Sequence, residues 1–343
     1  MLETLHWRAD HAGAIAQAAE LLRAGRLVAF PTETVYGLGA NALSAQAVAG
    51  IFLAKQRPAW DPLIVHVASL EQLPVVAALD DEIAERVQLL AEAFWPGPLT
   101  LLLPRTTAIP DCVTAGRPLV GVRIPAHPVA HALLLQAGVP IAAPSANTFG
   151  HISPTTAAHV LADLDGRIDA VLDGGPTTVG LESTVLDPLT MTLYRPGAVT
   201  ASQLEVLTGR SVALYRPPLS ATEPRSLPSP GVGLRHYAPR ARLILVEMPS
   251  ADESHTLLKA NALADDAGDS VGLLLPDGWA SLPGAHAFPW GPWNEPDVLA
   301  ARLFAGLRAL DDRAVDVILA PLPAAGGMGD ALRDRLQKAA RPV

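Results

Sequence analysis

Phe30-Pro31-Thr32-Glu33-Thr34-Val35-Tyr36-Gly37-Leu38-Gly39 is the stretch on which the fold turns. It follows an apolar run, Leu27 to Phe30, that reads as a short buried strand. It then places hydroxyl and turn-forming residues where a helix or second strand would need apolar ones. A hydroxyl- and glycine-rich loop at the carboxyl end of a strand is where open α/β sheets put their ligands. The loop lacks the Gly-Lys-Ser/Thr ending of a P-loop. A proline-initiated turn with an N-capping threonine accounts for the same residues without any ligand, so the surrounding sequence has to decide.

Outward from this loop, apolar strand segments recur at 27–30, 63–67, 99–103, 119–124, 139–143, 169–172, 183–187 and 191–195. Helical patterns fall at 11–24, 44–55, 80–93, 127–137 and 155–164. Crossovers mix with hairpin-like neighbours, which predicts an α/β sheet of mixed direction, not a strictly alternating barrel. Pro188-Leu189-Thr190, between 183–187 and 191–195, predicts an antiparallel pair. From about Gly209 to Arg240 periodicity fails, and prolines 217, 218, 224, 228, 230 and 239 mark an extended linker. Beyond it, strands at 243–247, 271–275 and 315–319 with helices at 251–266, 295–310 and 329–340 predict a small parallel sheet, Rossmann-like in outline. No Gly-x-Gly-x-x-Gly fingerprint follows its first strand, so nothing there supports dinucleotide binding. The expected organisation is a first α/β domain over 1–209, a linker over 210–240 and a smaller α/β domain over 241–343.

Composition narrows the function classes. A chain of 343 residues suits two domains at about 150 residues each. Every apolar run is interrupted by Pro, Gly or charge before it reaches membrane-spanning length. Residues 1–10 carry Glu3, His6, Arg8 and Asp10 and no signal-peptide core. Cys112, the one cysteine, excludes internal disulfides and fits a cytoplasmic location. The net charge of −9 has no basic block to offset it, which argues against a broad nucleic-acid-tracking face. Positive charge is almost all arginine. Lysine stands only at 55, 259 and 338, so Lys55 is the one lysine of the first 210 residues. An ammonium and a guanidinium are not interchangeable at a phosphate site.

Further segments of the first domain carry chemistry. Lys55-Gln56-Arg57-Pro58 ends a helix, where two cations either complement the helix dipole or project past Pro58 into a cleft. Arg123, inside the apolar strand Val120–Ile124, requires an anion, either a protein carboxylate or a ligand. Ala142-Ala143-Pro144-Ser145-Ala146-Asn147 ends a strand in small polar groups that admit close backbone approach. Ser153-Pro154-Thr155-Thr156 reads as a helix start whose N–H groups suit a phosphate. Gly180-Leu181-Glu182-Ser183-Thr184 and Tyr194-Arg195-Pro196-Gly197 complete the set. Four cations (Lys55, Arg57, Arg123 and Arg195) among hydroxyls suit a polyanionic nucleotide and a small polar partner. With no Ser-His-Asp triad, no paired carboxylates and no zinc-ligand spacing of histidines, the chemistry implied is phosphoryl or nucleotidyl transfer by positioning and charge stabilisation.

Taken in order, PTETVYGLG, KQRP with PLIVHV, FWPGPLT, VGVRIPAHP, PSAN with SPT, GLESTVLD, YRPGAV and SPG with HYAP resemble the YrdC-type threonylcarbamoyl-AMP synthases in their long, two-domain form. The motifs span about residues 20–240. The resemblance implies a YrdC-like mixed sheet followed by a Rossmann-like domain. It also implies a cytoplasmic nucleotidyltransferase, L-threonylcarbamoyladenylate synthase, which makes threonylcarbamoyl-AMP and pyrophosphate from L-threonine, bicarbonate or CO2, and ATP. Downstream tRNA threonylcarbamoyl-transferase proteins would take the product to tRNA.

Carried over by motif position, Thr34, His66, Arg123, Ala143 and Ser183 would line the threonine and carbamate side. Lys55, Arg57, Asp61, Ser145, Asn147, Ser153, Arg195 and His236 would contact ATP, with Lys55, Arg57, Ser145 and Asn147 as the catalytic set. Mg2+ would arrive with ATP, without a tightly bound protein metal. His236-Tyr237-Ala238-Pro239 would make the linker a lid over a labile mixed anhydride, with Tyr237 and Pro239 as lid residues; the alternative is a rigid interdomain turn. Asp61 departs from the Asn or His usual in the family, and Phe149 from a small hydroxyl residue. Two other functions compete. A non-catalytic RNA-binding module would bind RNA in a salt-sensitive way. A carbamoyltransferase of the hydrogenase-maturation type would use carbamoyl phosphate, not threonine, and would carry additional domains that this sequence lacks.

Overall fold

The computed structural model describes residues 3–216, 226–229, 231–232, 236–247 and 270–341. The helix expected at 251–266 and prolines 217, 218, 224 and 230 of the expected linker lie outside these residues. The chain divides into two compact units. One comprises 1–149, 154–178 and 182–233; the other comprises 150–153, 179–181 and 234–343.

The first unit is built on an eleven-stranded mixed sheet. Its strands are β1 (Leu5–Arg8), β2 (Val28–Phe30), β3 (Gly37–Asn41), β4 (Ile64–His66), β5 (Leu99–Pro104) and β6 (Leu119–Arg123), then β7 (Ile141–Ala142), β8 (Ala170–Asp173), β9 (Thr184–Asp187), β10 (Thr192–Arg195) and β11 (Ala213–Leu214). The spatial order is β1-β8-β2-β3-β7-β4-β6-β5-β9-β10-β11. Strands β9 and β10 form the expected antiparallel pair. Strand β3 is an addition to the sequence reading. It runs antiparallel to β2, so the Pro31–Tyr36 loop closes a hairpin and does not lead into a helix. Its glycines hid it, because glycine is a poor strand former. They are required by space: a Cβ on Gly39 would sit 2.8 Å from the Phe30 ring and 3.0 Å from Ile141.

Side-chain alternation sorts the sheet into two faces. Ala29, Val65, Val122, Ala142 and Val171 join one apolar cluster with residues of the helices Ala45–Lys55, Asp81–Phe94 and Ala157–Leu164. Val28, Phe30, Ile141, Ala143, Ala170 and Leu172 join a second, covered by the helices Ala14–Arg23 and Pro128–Ala137. Helix boundaries follow local chemistry. Ser44, Asp80 and Thr156 each accept a hydrogen bond from a backbone N–H of the first turn, as N-caps do. The helix expected from residue 155 therefore starts at Ala157, with Thr156 as its cap. A further helix, Ala201–Thr208, carries a complete capping box between Thr200 and Gln203.

The second unit holds a four-stranded parallel sheet, in the order β12 (Arg242–Glu247), β15 (Val317–Leu322), β13 (Val271–Pro276) and β14 (His286–Gly291). Strand β14 is absent from the sequence reading because Pro289 interrupts it. Proline is tolerated there because β14 is an edge strand with one side unpaired. The helices Pro296–Asp311 and Met328–Ala339 follow. No helix among the described residues is long and apolar enough to cross a membrane.

Candidate active site

In the parallel register of β4 and β6, His66 is the partner of Arg123 and Val65 of Val122. Val65 and Val122 enter the first apolar cluster, so His66 and Arg123 leave the opposite face together. His66 meets Phe30 edge-on at 6.3 Å. Both polar side chains are buried, and burial demands partners.

Arg123 finds them in the loop that opened the sequence. Its Nη1 donates to Thr34 Oγ1 at 2.9 Å, its Nε to the Gly97 carbonyl at 3.1 Å, and its Nη2 meets Glu33 Oε1 at 2.5 Å. The anion left open by the sequence is thus a protein carboxylate. Glu33 was not among the expected site residues, because nothing local links it to a strand 90 positions later. Its signal was an acidic residue within a loop that otherwise buries itself. Thr32 Oγ1 donates to the Val35 carbonyl at 2.6 Å and lies 2.8 Å from Thr34 Oγ1. Since the Thr32 proton is spent, Thr34 donates to Thr32 and accepts from Arg123. This relay fixes the loop against the guanidinium. Burial, and then the Arg123 charge, push the His66 imidazole down to about 3, so it is neutral at pH 7.

Ser183 and Arg195 form a second group. Arg195 donates from Nε to the Ser183 carbonyl at 2.9 Å and from Nη2 to Ser183 Oγ at 3.1 Å. Ser183 Oγ also lies 2.8 Å from Thr100 Oγ1, a contact the sequence did not disclose.

Lys55, in the last turn of its helix, points inward. Its ammonium donates to the carbonyls of Ser145 and Asn147, each at 2.5 Å, and Phe149 N–H returns a bond to the Lys55 carbonyl at 2.8 Å. Burial pushes its pKa well down, as does the nearby Arg57 charge. The Ser145 segment is also strapped to the opening loop. Leu38 N–H donates to the Pro144 carbonyl and Ala146 N–H to the Tyr36 carbonyl, both at 2.8 Å. Ala143 N–H donates to the Ile64 carbonyl at 2.9 Å, which commits this donor to the fold. Asn147 Nδ2 donates to the Thr148 carbonyl at 2.8 Å.

Arg57 and Asp61 form an ion pair at 3.0 Å with side chains only 4% and 0% exposed. Arg57 also donates to the carbonyls of Asp61 and Pro62, at 3.1 and 2.7 Å. An exposed pair would matter little, but a buried one is costly to break from either side, by about 3–5 kcal/mol. The departure at Asp61 therefore has a physical partner in Arg57. The departure at Phe149 places a ring 5.7 Å from the Arg57 guanidinium and edge-on to Trp60.

Ser153 and His236 belong to the second compact unit. Ser153 is buried, and the adjacent Ile152 carbonyl accepts from Arg308 Nη2. His236 lies against Tyr237 with ring centroids 4.9 Å apart. Tyr237, at φ 63°, stacks on Phe304 at 5.4 Å and receives the Arg335 guanidinium at 5.5 Å. Ala238 N–H donates to the Gly150 carbonyl, and Pro239 is buried.

Residues 20–197 match the Sua5/YciO/YrdC family model, described as telomere recombination. Residues 199–341 match a model described as the C-terminal domain of threonylcarbamoyl-AMP synthase. Threonylcarbamoyl-AMP synthase of Pyrococcus abyssi is 44% identical, over 94% of this chain and 92% of the relative. That of Bacillus subtilis is 43% identical, over 95% and 92%. The solved structure of P. abyssi Sua5 complexed with L-threonine superposes with a TM-score of 0.89 at 42% identity, covering 99% of this chain and 97% of that one. The chain therefore belongs to the Sua5 family of threonylcarbamoyl-AMP synthases, in its two-domain form.

Proposed function

We propose that the protein is a nucleotidyltransferase that converts L-threonine, bicarbonate or CO2, and ATP into threonylcarbamoyl-AMP and pyrophosphate. The observation that carries this reading is the full-length likeness to synthases of that name, one of them solved with L-threonine. The buried group of Thr34, His66 and Arg123 supports it. The threonine amine bonds to the carbon of CO2 to give a carbamate, releasing a proton. A carbamate oxygen then attacks the α-phosphorus of ATP, and the bond to the pyrophosphate oxygen breaks.

In this reading Arg123 receives the threonine carboxylate, with Thr34, His66, Ala143 and Ser183 lining the same pocket. The neutral imidazole of His66 adds no positive charge that would compete with Arg123. Lys55 fixes the Ser145–Asn147 segment with two N–H bonds and, with that segment, contacts ATP. Arg57, paired with Asp61, and Arg195 stabilise charge as pyrophosphate departs, together with Ser145, Asn147, Ser153 and His236 as ATP contacts. Among the described residues no cluster of three or more His, Cys, Asp or Glu has metal-holding geometry, and Asp61 is engaged by Arg57. Mg2+ would come with the triphosphate and would offset charge on the leaving group. The segment His236–Pro239 serves as a lid that keeps water from the mixed anhydride. The product then passes to tRNA threonylcarbamoyl-transferase proteins in the cytoplasm.

The test is to combine purified protein with ATP, threonine and bicarbonate, following pyrophosphate release and product mass. Pyrophosphate that depends on both threonine and bicarbonate, with a threonylcarbamoyl-AMP mass, is the expected result. Nucleotide binding without turnover would remove the catalytic reading.

A further inference from the structure

Both carboxylate oxygens of Glu33 are buried, and among the described residues neither accepts a well-aligned hydrogen bond. The ion pair they make is with Arg123 Nη2, which likewise has no aligned hydrogen-bond acceptor. The two side chains are 9% and 4% exposed. A carboxylate offers about four lone-pair sites, so Glu33 keeps spare acceptor capacity. Of the other Arg123 nitrogens, Nη1 gives one of its two N–H groups to Thr34, and Nε gives its only one to the Gly97 carbonyl. A ligand carboxylate that takes the remaining Nη1 and Nη2 N–H groups therefore arrives beside the Glu33 carboxylate and competes with it for the guanidinium charge.

Opening a buried ion pair leaves two charges, each demanding a new partner. An anion arriving alone would satisfy Arg123 and strand Glu33. A cation arriving alone would do the reverse. A ligand with a carboxylate and an ammonium on one carbon satisfies both at once. We infer that Glu33 is the specificity residue for the α-ammonium of the amino-acid substrate, so that Glu33 and Arg123 form a two-charge clamp that opens only for a zwitterion. This rests on the proposal that Arg123 receives the threonine carboxylate. The Thr34–Thr32 relay keeps the loop in register, so Glu33 stays within reach of the amine while the carboxylate docks.

Calorimetric titration of the full-length protein tests the clamp with three probes. These are L-threonine, L-threoninol, which lacks the carboxylate, and 2,3-dihydroxybutanoate, in which a hydroxyl replaces the ammonium. Wild type is expected to bind threonine at least about 10-fold more tightly than either analogue, the scale of one lost charged hydrogen bond. Glu33→Gln keeps the shape and removes the charge. It is expected to lose about 10- to 100-fold in threonine affinity and to bind dihydroxybutanoate within about 3-fold of threonine. Glu33→Asp is expected to keep the wild-type preference.

Equal binding of threonine and dihydroxybutanoate by wild type would overturn the clamp without any variant. Wild-type preference retained in Glu33→Gln would overturn it too, as would an equal loss for all three probes, the mark of a merely structural counter-ion. If wild type binds ATP but shows neither threonine binding nor threonine-dependent pyrophosphate release, the underlying reading of Arg123 falls and the clamp with it.

Discussion

His66 and Arg123 are register partners on adjacent parallel strands, so an imidazole and a guanidinium share one buried face of the sheet. The consequence is electrostatic. His66 protonates only near pH 3 in the folded chain, far below the ordinary value of about 6.5. The unfolded chain takes up this proton first. Stability from His66 is therefore fully present above about pH 6.5 and is lost as pH falls toward 3, at ~1.4 kcal/mol per pH unit. Urea unfolding at pH 7.5 and 5.5 should show wild type losing about 1.4 kcal/mol more than His66→Asn. Equal losses in the two proteins would remove this account.

Arg123→Ala should act on both stability and substrate use. It leaves the Glu33 carboxylate buried without its ion pair, at a cost of about 3–5 kcal/mol. Pyrophosphate-release kinetics should show the threonine KM rising by about 100-fold or more, with the ATP KM nearly unchanged. Adding Glu33→Gln should recover much of the thermal stability without restoring the threonine KM.

Lys55→Met removes an ammonium that holds two buried carbonyls, those of Ser145 and Asn147. Each unsatisfied carbonyl costs about 1–3 kcal/mol. Turnover should fall about 100-fold or more through the displaced Ser145–Asn147 segment. Lys55→Arg should not rescue it, because a planar guanidinium does not fit a site shaped for a point charge.

For Arg57 and Asp61 the double-mutant cycle is informative. Arg57→Met and Asp61→Asn should each destabilise by about 3–5 kcal/mol, and the double variant by less than their sum. Additive chemical-denaturation energies would show that the pair is not coupled. Turnover should stay low in every variant that lacks Arg57.

Gly39→Ala tests the packing under the loop. The new methyl would meet the Phe30 ring at 2.8 Å, Ile141 at 3.0 Å and the Val28 carbonyl at 3.2 Å. Overpacking of this kind costs about 1–3 kcal/mol. A melting temperature equal to wild type would show that Phe30 yields freely.

Most of the architecture was legible because apolar periodicity reports burial directly. The strands around Val65, Val122 and Val171 alternate into two cores, and the β9–β10 pair followed from a three-residue connection. What escaped has local causes. Strand β3 is rich in glycine, and β14 is interrupted by Pro289 and occupies an edge. The helix at Ala201–Thr208 was readable from Thr200 and Gln203, whose spacing is that of a capping box. The positions of the motif residues were legible, but their mutual contacts were not. Glu33 meets Arg123 only through the order β2-β3-β7-β4-β6, and Thr100 meets Ser183 only because β5 lies between β6 and β9. The Arg57–Asp61 pair was within reach, since the two lie four positions apart beside a helix end.

The burial of Lys55 gives the molecule a built-in reporter. It is the one lysine among the first 210 residues and is 1% exposed, while Lys338 near the carboxyl end is tied to Asp334. An amine-acylating reagent can reach Lys55 only when the Ser145–Asn147 segment lifts off its ammonium. The rate of acylation at this one peptide, read by mass spectrometry, therefore measures how often that segment opens, and ligands that clamp it should slow the reaction.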